Sequence, residues 1–121
     1  MAEKRKALVA VKDRDLKKII FPEQTVRLLE QVADVDWIAE GEPYDSGNLA
    51  ADIGRYDVCI TSWGSPKFTP EVLDRAHRLR FIGHAAGTVK PIVDPAVFDR
   101  DIVIVNANRA LAMSTAELTL A

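Results

Sequence analysis

The chain has 121 residues and a mass of 13.4 kDa, the size of one domain, which nearly excludes a two-domain enzyme. Hydrophobic residues make up 48% and charged residues 28%, which is ordinary for a soluble globular domain. The net charge of -2 is uneven, with +4 in residues 1–18, -7 in residues 19–57 and +1 in residues 58–121. No block is basic enough to indicate a nucleic-acid surface.

The sequence carries no signal for a membrane or for secretion. Its longest unbroken apolar run, Ala7–Val11, is far shorter than the about 20 residues of a membrane helix. The basic start lacks the longer apolar stretch and the cleavage site of a signal peptide. The single cysteine, Cys59, cannot form an internal disulfide. We therefore expect a cytoplasmic protein that does not contact a membrane.

Short apolar runs alternate with amphipathic stretches along the chain. Continuously apolar runs are typical of strands buried on both faces. They predict the strands Ala7–Val11, Val35–Ile38, Asp57–Thr61, Arg80–Gly83 and Ile102–Val105. Between the first two strands, Pro22 suits the first turn of a helix. The buried face of that helix is predicted to comprise Val26, Leu29 and Val32, widened by Leu28.

Further helices are predicted between the later strands. A short helix covers Asn48–Ile53 and is ended by Gly54, and a second starts at Thr69-Pro70-Glu71. The buried face of the second helix is predicted to be Val72, Leu73, Ala76 and Leu79. A brief helix begins at Asp94-Pro95, and Ala110–Ala121 is helical. This alternation predicts an α/β, flavodoxin-like, doubly wound fold, with a five-stranded parallel sheet in the order 2-1-3-4-5 between two helical layers.

Ligands bind such sheets beyond the carboxyl ends of the strands. The segments placed there are Lys12–Asp15, Ser62–Lys67, His84–Lys90 and Asn106–Leu111. Trp63, between small residues, either forms an apolar wall for a ligand or covers the edge of the core. In Gly83–Val89, two glycines let backbone N–H groups approach a ligand, or they only form a tight turn. His84 is the one histidine placed to meet a ligand, although a structural role is favoured over a ligand contact at its position.

Several chemistries lack their sequence signals. No Gly-x-Gly-x-x-Gly and no phosphate-binding loop ending in Gly-Lys-Ser/Thr is present, and no serine lies in a Gly-x-Ser-x-Gly setting. Cys59, His77 and His84 do not have metal-ligand spacing, so we expect no metal site. Cys59 lies in the middle of a strand, where a buried structural role is favoured over a nucleophile.

Residues 56–121 resemble the N-terminal, substrate-binding domain of the D-isomer-specific 2-hydroxyacid dehydrogenases. Matching segments occur in the family's order. Phe68–Ala76 resembles its "t-x-e-v-l-x-x-a" helix, and Leu79–Gly83 resembles "L-k-x-I-g". Asp101–Asn106 resembles "g-I-x-V-x-N", and Thr115–Ala121 resembles "V-A-E-x-t-l-a". His84–Val93 stands where the family has a glycine-rich loop ending near "G-V-D-N-I-D". Residues 1–55 fit in element order but carry few motif residues.

The resemblance implies an NAD- or NADP-dependent oxidoreductase that acts on a small 2-oxo or 2-hydroxy acid. By the motif, the backbone N–H groups of Gly87 and Thr88 hold the substrate carboxylate. The full set of expected substrate-binding residues is Ser62, Trp63, Gly64, His84, Gly87 and Thr88. Near the nicotinamide we expect Met113 and Thr115. Two departures concern the substrate: Lys90-Pro91 replaces the Asp-Asn of many members, and Leu111 replaces a polar contact residue.

In the family, the last helix continues into a nucleotide-binding domain that supplies the glycine fingerprint, a substrate-orienting Arg and a Glu-His pair. We therefore expect residues 1–121 to be a single substrate-binding domain that is inactive alone. Residues 110–121 would start the helix that leads to the absent nucleotide-binding domain. An apolar stripe on this helix predicts a homodimer or a helix-exchanged oligomer, through Leu111, Met113, Leu118 and Leu120.

Two other classes of protein share the expected fold. A receiver-like signalling domain fits the length and the alternating units, but such a domain has an aspartate where Thr61-Ser62 ends the third strand, and Lys12 interrupts its acidic pair. A free-standing flavodoxin-like binding module is the other alternative. A change in the mass or fluorescence of the protein on addition of magnesium and an acyl phosphate tests the first alternative. A coding sequence beyond Ala121 without a nucleotide-binding domain would favour the second.

Overall fold

The structure, a computed structural model, describes residues 4–39, 42–85 and 93–106. Its helices and strands are β1 (Arg5–Val9), α1 (Arg14–Ile20), α2 (Glu23–Val32), β2 (Ala33–Trp37), α3 (Ser46–Asp52), β3 (Val58–Thr61), α4 (Pro70–Arg75), β4 (Phe81–His84) and β5 (Val103–Asn106). Short 3-10 helices at Ile53–Arg55 and Pro95–Asp99 precede β3 and β5. The predicted terminal helix, 110–121, lies outside the described residues.

All strand pairs in the sheet are parallel, and the strand order is β2-β1-β3-β4-β5. The predicted fold class is therefore confirmed. The predicted strand bounds are shifted by one or two residues. In the largest shift, β1 is two residues earlier than Ala7–Val11, because its pairing with β2 begins at Arg5 opposite Ala33. Ala10 and Val11 nevertheless remain buried beyond the end of β1.

The main core lies on one face of the sheet, against α3, α4 and the 3-10 helices. The strands contribute alternate residues to this core, including Leu8, Cys59 and Ile82, as the two-residue period of a strand requires. Apolar residues from the helices and loops fill the rest of it, including Leu49, Ile53, Phe68, Val72, Leu73, Leu79 and Val97. Each of these side chains is fully buried.

The segment between β1 and β2 differs most from its prediction. Helix α1 was not predicted; its N-terminus is capped by Asp13, whose carboxylate accepts the Leu16 N–H at 2.9 Å. The predicted buried face of α2 is wrong at two positions, since Leu28 is 59% exposed and Val32 is 68% exposed. Neither α1 nor α2 has a fully buried residue, so an amphipathic pattern alone overstated how deeply α2 is packed.

The later helices follow local capping signals. Thr69 caps α4 by accepting the Val72 N–H, and Pro70 takes the first helical position, as predicted. Helix α4 ends at Arg75 and is therefore shorter than expected. Asp45 caps α3 in a reciprocal capping box with Asn48, so that helix starts before the predicted Asn48. The buried residues predicted for the α4 region, Ala76 and Leu79, lie beyond the helix but are buried.

No helix within the described ranges is long and apolar enough to cross a membrane.

Candidate functional site

The carboxyl ends of the central strands lie side by side at one edge of the sheet. We call this the carboxyl edge and define it by Val9, Thr61 and His84, the last residues of β1, β3 and β4. His84 was expected to begin a loop, but it is the final residue of β4 and pairs with Thr61 in the parallel register. Strand pairing therefore fixes the backbone on which the predicted substrate segments begin.

A buried polar pair joins β3 to β4 at this edge. The Thr61 hydroxyl lies 2.9 Å from His84 Nδ1, within hydrogen-bond distance. Thr61 is fully buried, and His84 is only 4% exposed. Polar groups this deep in a protein need partners, since an unpaired one costs about 1–3 kcal/mol. The pair therefore fixes the orientation of the imidazole ring at the end of β4.

A tight turn follows β3. The Ser65 N–H donates to the Ser62 carbonyl at 3.1 Å, which closes a four-residue turn. Gly64 has a φ of 80°, the left-handed conformation that favours glycine at the third position of such a turn. An added Cβ at Gly64 would meet no atom within 4 Å, so the backbone conformation alone explains the glycine.

The serines of this turn bind the neighbouring strand ends. The buried Ser62 hydroxyl donates to the Ala85 carbonyl at 2.9 Å, just after β4. The Ser65 hydroxyl donates to the Ala10 carbonyl at 2.5 Å, just after β1, and accepts the Ser62 N–H at 2.9 Å. These contacts connect the exits of β1, β3 and β4 into one rigid unit, which we call the serine clamp (Ala10, Ser62, Ser65 and Ala85).

Trp63 is the exposed member of the turn. Its side chain is 66% exposed, whereas its neighbour Ser62 is fully buried. Of the two roles considered from the sequence, covering the edge of the core does not fit this exposure. The indole instead presents an apolar surface at the carboxyl edge, on a turn held by the serine clamp.

The structure brings together four of the predicted site residues: Ser62, Trp63, Gly64 and His84. The other four, Gly87, Thr88, Met113 and Thr115, lie outside the described residues. Sequence reasoning missed the contributions of Thr61 and Ser65. A signal for Ser65 was present, because serines three residues apart around a glycine are typical of a hydrogen-bonded turn. No local pattern could have found Thr61, since its partner His84 comes from another strand.

Cys59 is fully buried, and its burial raises the pKa of the thiol to about 12, so at neutral pH it is a protonated core residue. Within the described ranges, no three His, Cys, Asp or Glu side chains come together as a metal site would require.

The sequence model of the D-isomer specific 2-hydroxyacid dehydrogenase catalytic domain matches residues 14–121. A D-3-phosphoglycerate dehydrogenase from Methanocaldococcus jannaschii is 34% identical over 98 residues, which cover 81% of this chain and 18% of that protein. The match therefore spans less than a fifth of this relative.

Two solved structures share the fold. The PH0520 protein from Pyrococcus horikoshii OT3 superposes with a TM-score of 0.68 at 30% identity, covering 98% of this chain and 32% of that one. A Polaromonas protein, named for a D-isomer specific 2-hydroxyacid dehydrogenase, gives 0.66 at 18% identity, covering 85% of this chain and 30% of that one. At 18% identity the second likeness shows the fold alone. The family match over residues 14–121 establishes the relationship: the chain belongs to the D-isomer specific 2-hydroxyacid dehydrogenase family, within its catalytic domain.

Proposed function

We propose that this chain is the substrate-binding half of an NAD- or NADP-dependent dehydrogenase that acts on small 2-hydroxy acids. The observation that carries the proposal is the serine clamp. It holds the exits of β1, β3 and β4 in fixed relative positions at the edge of the sheet where parallel α/β folds bind ligands. Preorganised segments bind a ligand at a lower entropic cost than mobile ones.

The proposed site residues have different roles. Trp63 and Gly64 face the side-chain end of the substrate, with the exposed indole as the apolar surface. Ser62 and His84 hold the backbone beneath these two residues in place, because both are buried and hydrogen-bonded to the neighbouring strand segment. The carboxylate of the 2-oxo acid is bound by the backbone N–H groups of the loop after β4, at the two positions Gly87 and Thr88. Adjacent amides bind an anion without any cost in side-chain entropy.

The described residues do not fit a nicotinamide dinucleotide. In dinucleotide-binding folds, a glycine-rich turn after the first strand places the pyrophosphate at a helix N-terminus. Here Asp13 occupies the corresponding place, and its carboxylate caps α1 at 2.9 Å from the Leu16 nitrogen. A carboxylate there repels a pyrophosphate. We therefore propose that the cofactor is held by a separate nucleotide-binding domain, near Met113 and Thr115, and that this chain alone transfers no hydride.

Self-association is the second part of this proposal. The apolar stripe predicted from Leu111 to Leu120 would be covered by a second copy of the chain, in a dimer or by helix exchange. Light scattering at increasing concentration tests it. A mass that rises from one chain to two supports the pairing, whereas a constant monomer mass contradicts it.

An amide NMR titration with oxalate or pyruvate tests the substrate role. Two charge-assisted hydrogen bonds contribute about 3–6 kcal/mol before the entropy of association, so we expect millimolar affinity at best. Thr88→Pro removes one donor without changing the charge. Shifts centred on Gly87 and Thr88, lost in a folded Thr88→Pro variant, support the proposal. Shifts at Lys12–Asp15, or no saturable shifts, would show that the site is misplaced.

A further inference from the structure

A concave surface lies beside the edge strand β2, which β1 and β3 separate from β4. It is an open cleft of about 360 Å³ between the end of α1, the start of α2 and the end of β2. We call it the aromatic cleft and define it by its lining residues, Lys17, Lys18, Phe21, Val26 and Trp37. Its volume falls within the range of about 300–1,000 Å³ that is typical of small-molecule sites.

The apolar part of the cleft is built on an aromatic pair. The rings of Phe21 and Trp37 are 5.2 Å apart at an interplanar angle of 88°, an edge-to-face arrangement. Phe21 lies at the junction of α1 and α2, and Trp37 is the last residue of β2, so two separate elements hold the rings. Both side chains are only half-buried. A flat apolar group can therefore contact ring surface that the fold leaves open.

Two lysines line the cleft. The Lys17 ammonium lies 5.8 Å from the centroid of the Trp37 ring, and it donates to the Ile38 carbonyl at 3.5 Å. Lys18 is exposed at the rim. Among the lining residues that the structure describes, none is acidic. A cation above an apolar surface complements a ligand with an apolar body and one negative charge.

We propose that the aromatic cleft binds small aromatic carboxylates, with the ring of the ligand against Phe21 and Trp37 and its carboxylate at the exposed Lys18. This site is separate from the proposed 2-oxo acid site, because its residues come from the segment 17–37 and not from the exits of β3 and β4. Nothing in the proposal requires a 2-oxo group on the ligand.

Phenylacetate is a suitable probe because it carries an aromatic ring and a carboxylate but no 2-oxo group. The chain has two tryptophans, and their indole N–H signals in an NMR spectrum report separately on the aromatic cleft (Trp37) and on the proposed substrate turn (Trp63). For a ligand of this size we expect a Kd of about 1–10 mM. The Trp37 signal should shift and saturate, while the Trp63 signal stays in place.

Four comparisons make the test decisive. The neutral analogue phenylacetamide and the variant Lys18→Gln should each weaken binding about 2–5-fold, the size expected for an exposed ion pair. The matched variant Lys67→Gln, which changes an exposed lysine outside the cleft, should leave the Kd unchanged. Trp37→Leu should abolish the shift of the Phe21 signals, and Lys18→Gln remains informative if that variant does not fold. Equal affinity for phenylacetamide, equal shifts at Trp63, or no saturation at Trp37 would each overturn the proposal.

Discussion

Replacing Thr61 with valine tests the buried pair at the carboxyl edge. Thr61→Val removes the hydroxyl that lies 2.9 Å from His84 Nδ1, in a place where Thr61 is fully buried. The loss of this partner costs about 1–3 kcal/mol. The extra buried methyl group offsets up to about 0.8 kcal/mol of that cost. We therefore expect the free energy of unfolding to fall by about 1–2 kcal/mol, which lowers the folding equilibrium constant about 5–30-fold.

Urea unfolding measures the stability of this variant, and NMR of the His84 ring nitrogens reports on the bond itself. The control is Thr61→Ser, which loses a buried methyl group but keeps the hydroxyl. Both variants are expected to be less stable than the native chain, but only Thr61→Val should change the Nδ1 chemical shift of His84. If Thr61→Val leaves both the stability and that shift unchanged, the pair does not hold the imidazole ring.

Five other variants test three separate features. Gly64→Ala should destabilise the chain by about 1–2 kcal/mol through backbone strain at φ 80°, and Gly64→Asn by less, since asparagine tolerates this conformation; equal unfolding midpoints would refute this. Cys59 has a folded pKa of about 12 against 9.0 unfolded, so the unfolded state loses the proton first. The contribution of Cys59 to the free energy of unfolding is complete below pH 9 and falls by about 1.4 kcal/mol per pH unit above pH 9. Urea unfolding at several pH values should therefore show a smaller loss of stability above pH 9 in Cys59→Ala than in the native chain. Asp57→Ala should cost about 2–3 kcal/mol, because the buried carboxylate accepts the Lys6 N–H at 2.9 Å; Arg78→Ala, which removes an exposed partner at 3.4 Å, should cost under about 1 kcal/mol in the same assay.

The strand order was predictable because buried parallel strands have continuously apolar sequences. Ala7–Val9 and Val58–Ile60 form the centre of the sheet, where neighbours on both sides require such residues. Strand ends were less predictable, because they depend on the register of the partner strand. The burial of Ala10 beyond β1 illustrates this, since its N–H donates to the Ile60 carbonyl at 2.8 Å without extending the strand.

The layer formed by α1 and α2 was the least predictable part of the fold. Helix α1 has only seven residues and buries none of them, so the apolar spacing of Leu16 and Ile20 is too short to identify a helix, and only the Asp13 cap marked its start. In α2, Leu28 and Val32 are apolar but exposed. A hydrophobic stripe indicates which face of a helix could be buried; whether it is buried depends on how much surface the neighbouring elements offer.

The candidate site was predicted in position but not in detail. The rule that ligands bind at the carboxyl ends of strands placed the turn with Trp63 and the end of β4 with His84 at one edge of the sheet, and the structure has the two as neighbours. The rule could not predict which side chains of the turn and of the end of β4 are exposed and which are buried. Ser62 and Trp63 are adjacent in sequence, yet the Ser62 hydroxyl donates to the buried side of the turn, at the Ala85 carbonyl, whereas the Trp63 side chain faces solvent.

We propose that a 2-oxo acid binds at the carboxyl edge beside the serine clamp. Intermolecular nuclear Overhauser effects from the methyl protons of pyruvate test this most directly, because they report which side chains lie next to the bound ligand. We predict contacts to the Trp63 indole and to Ala85, at the ends of β3 and β4. Contacts to Trp37 alone, or to Lys12–Asp15, would show that the 2-oxo acid does not bind at the carboxyl edge.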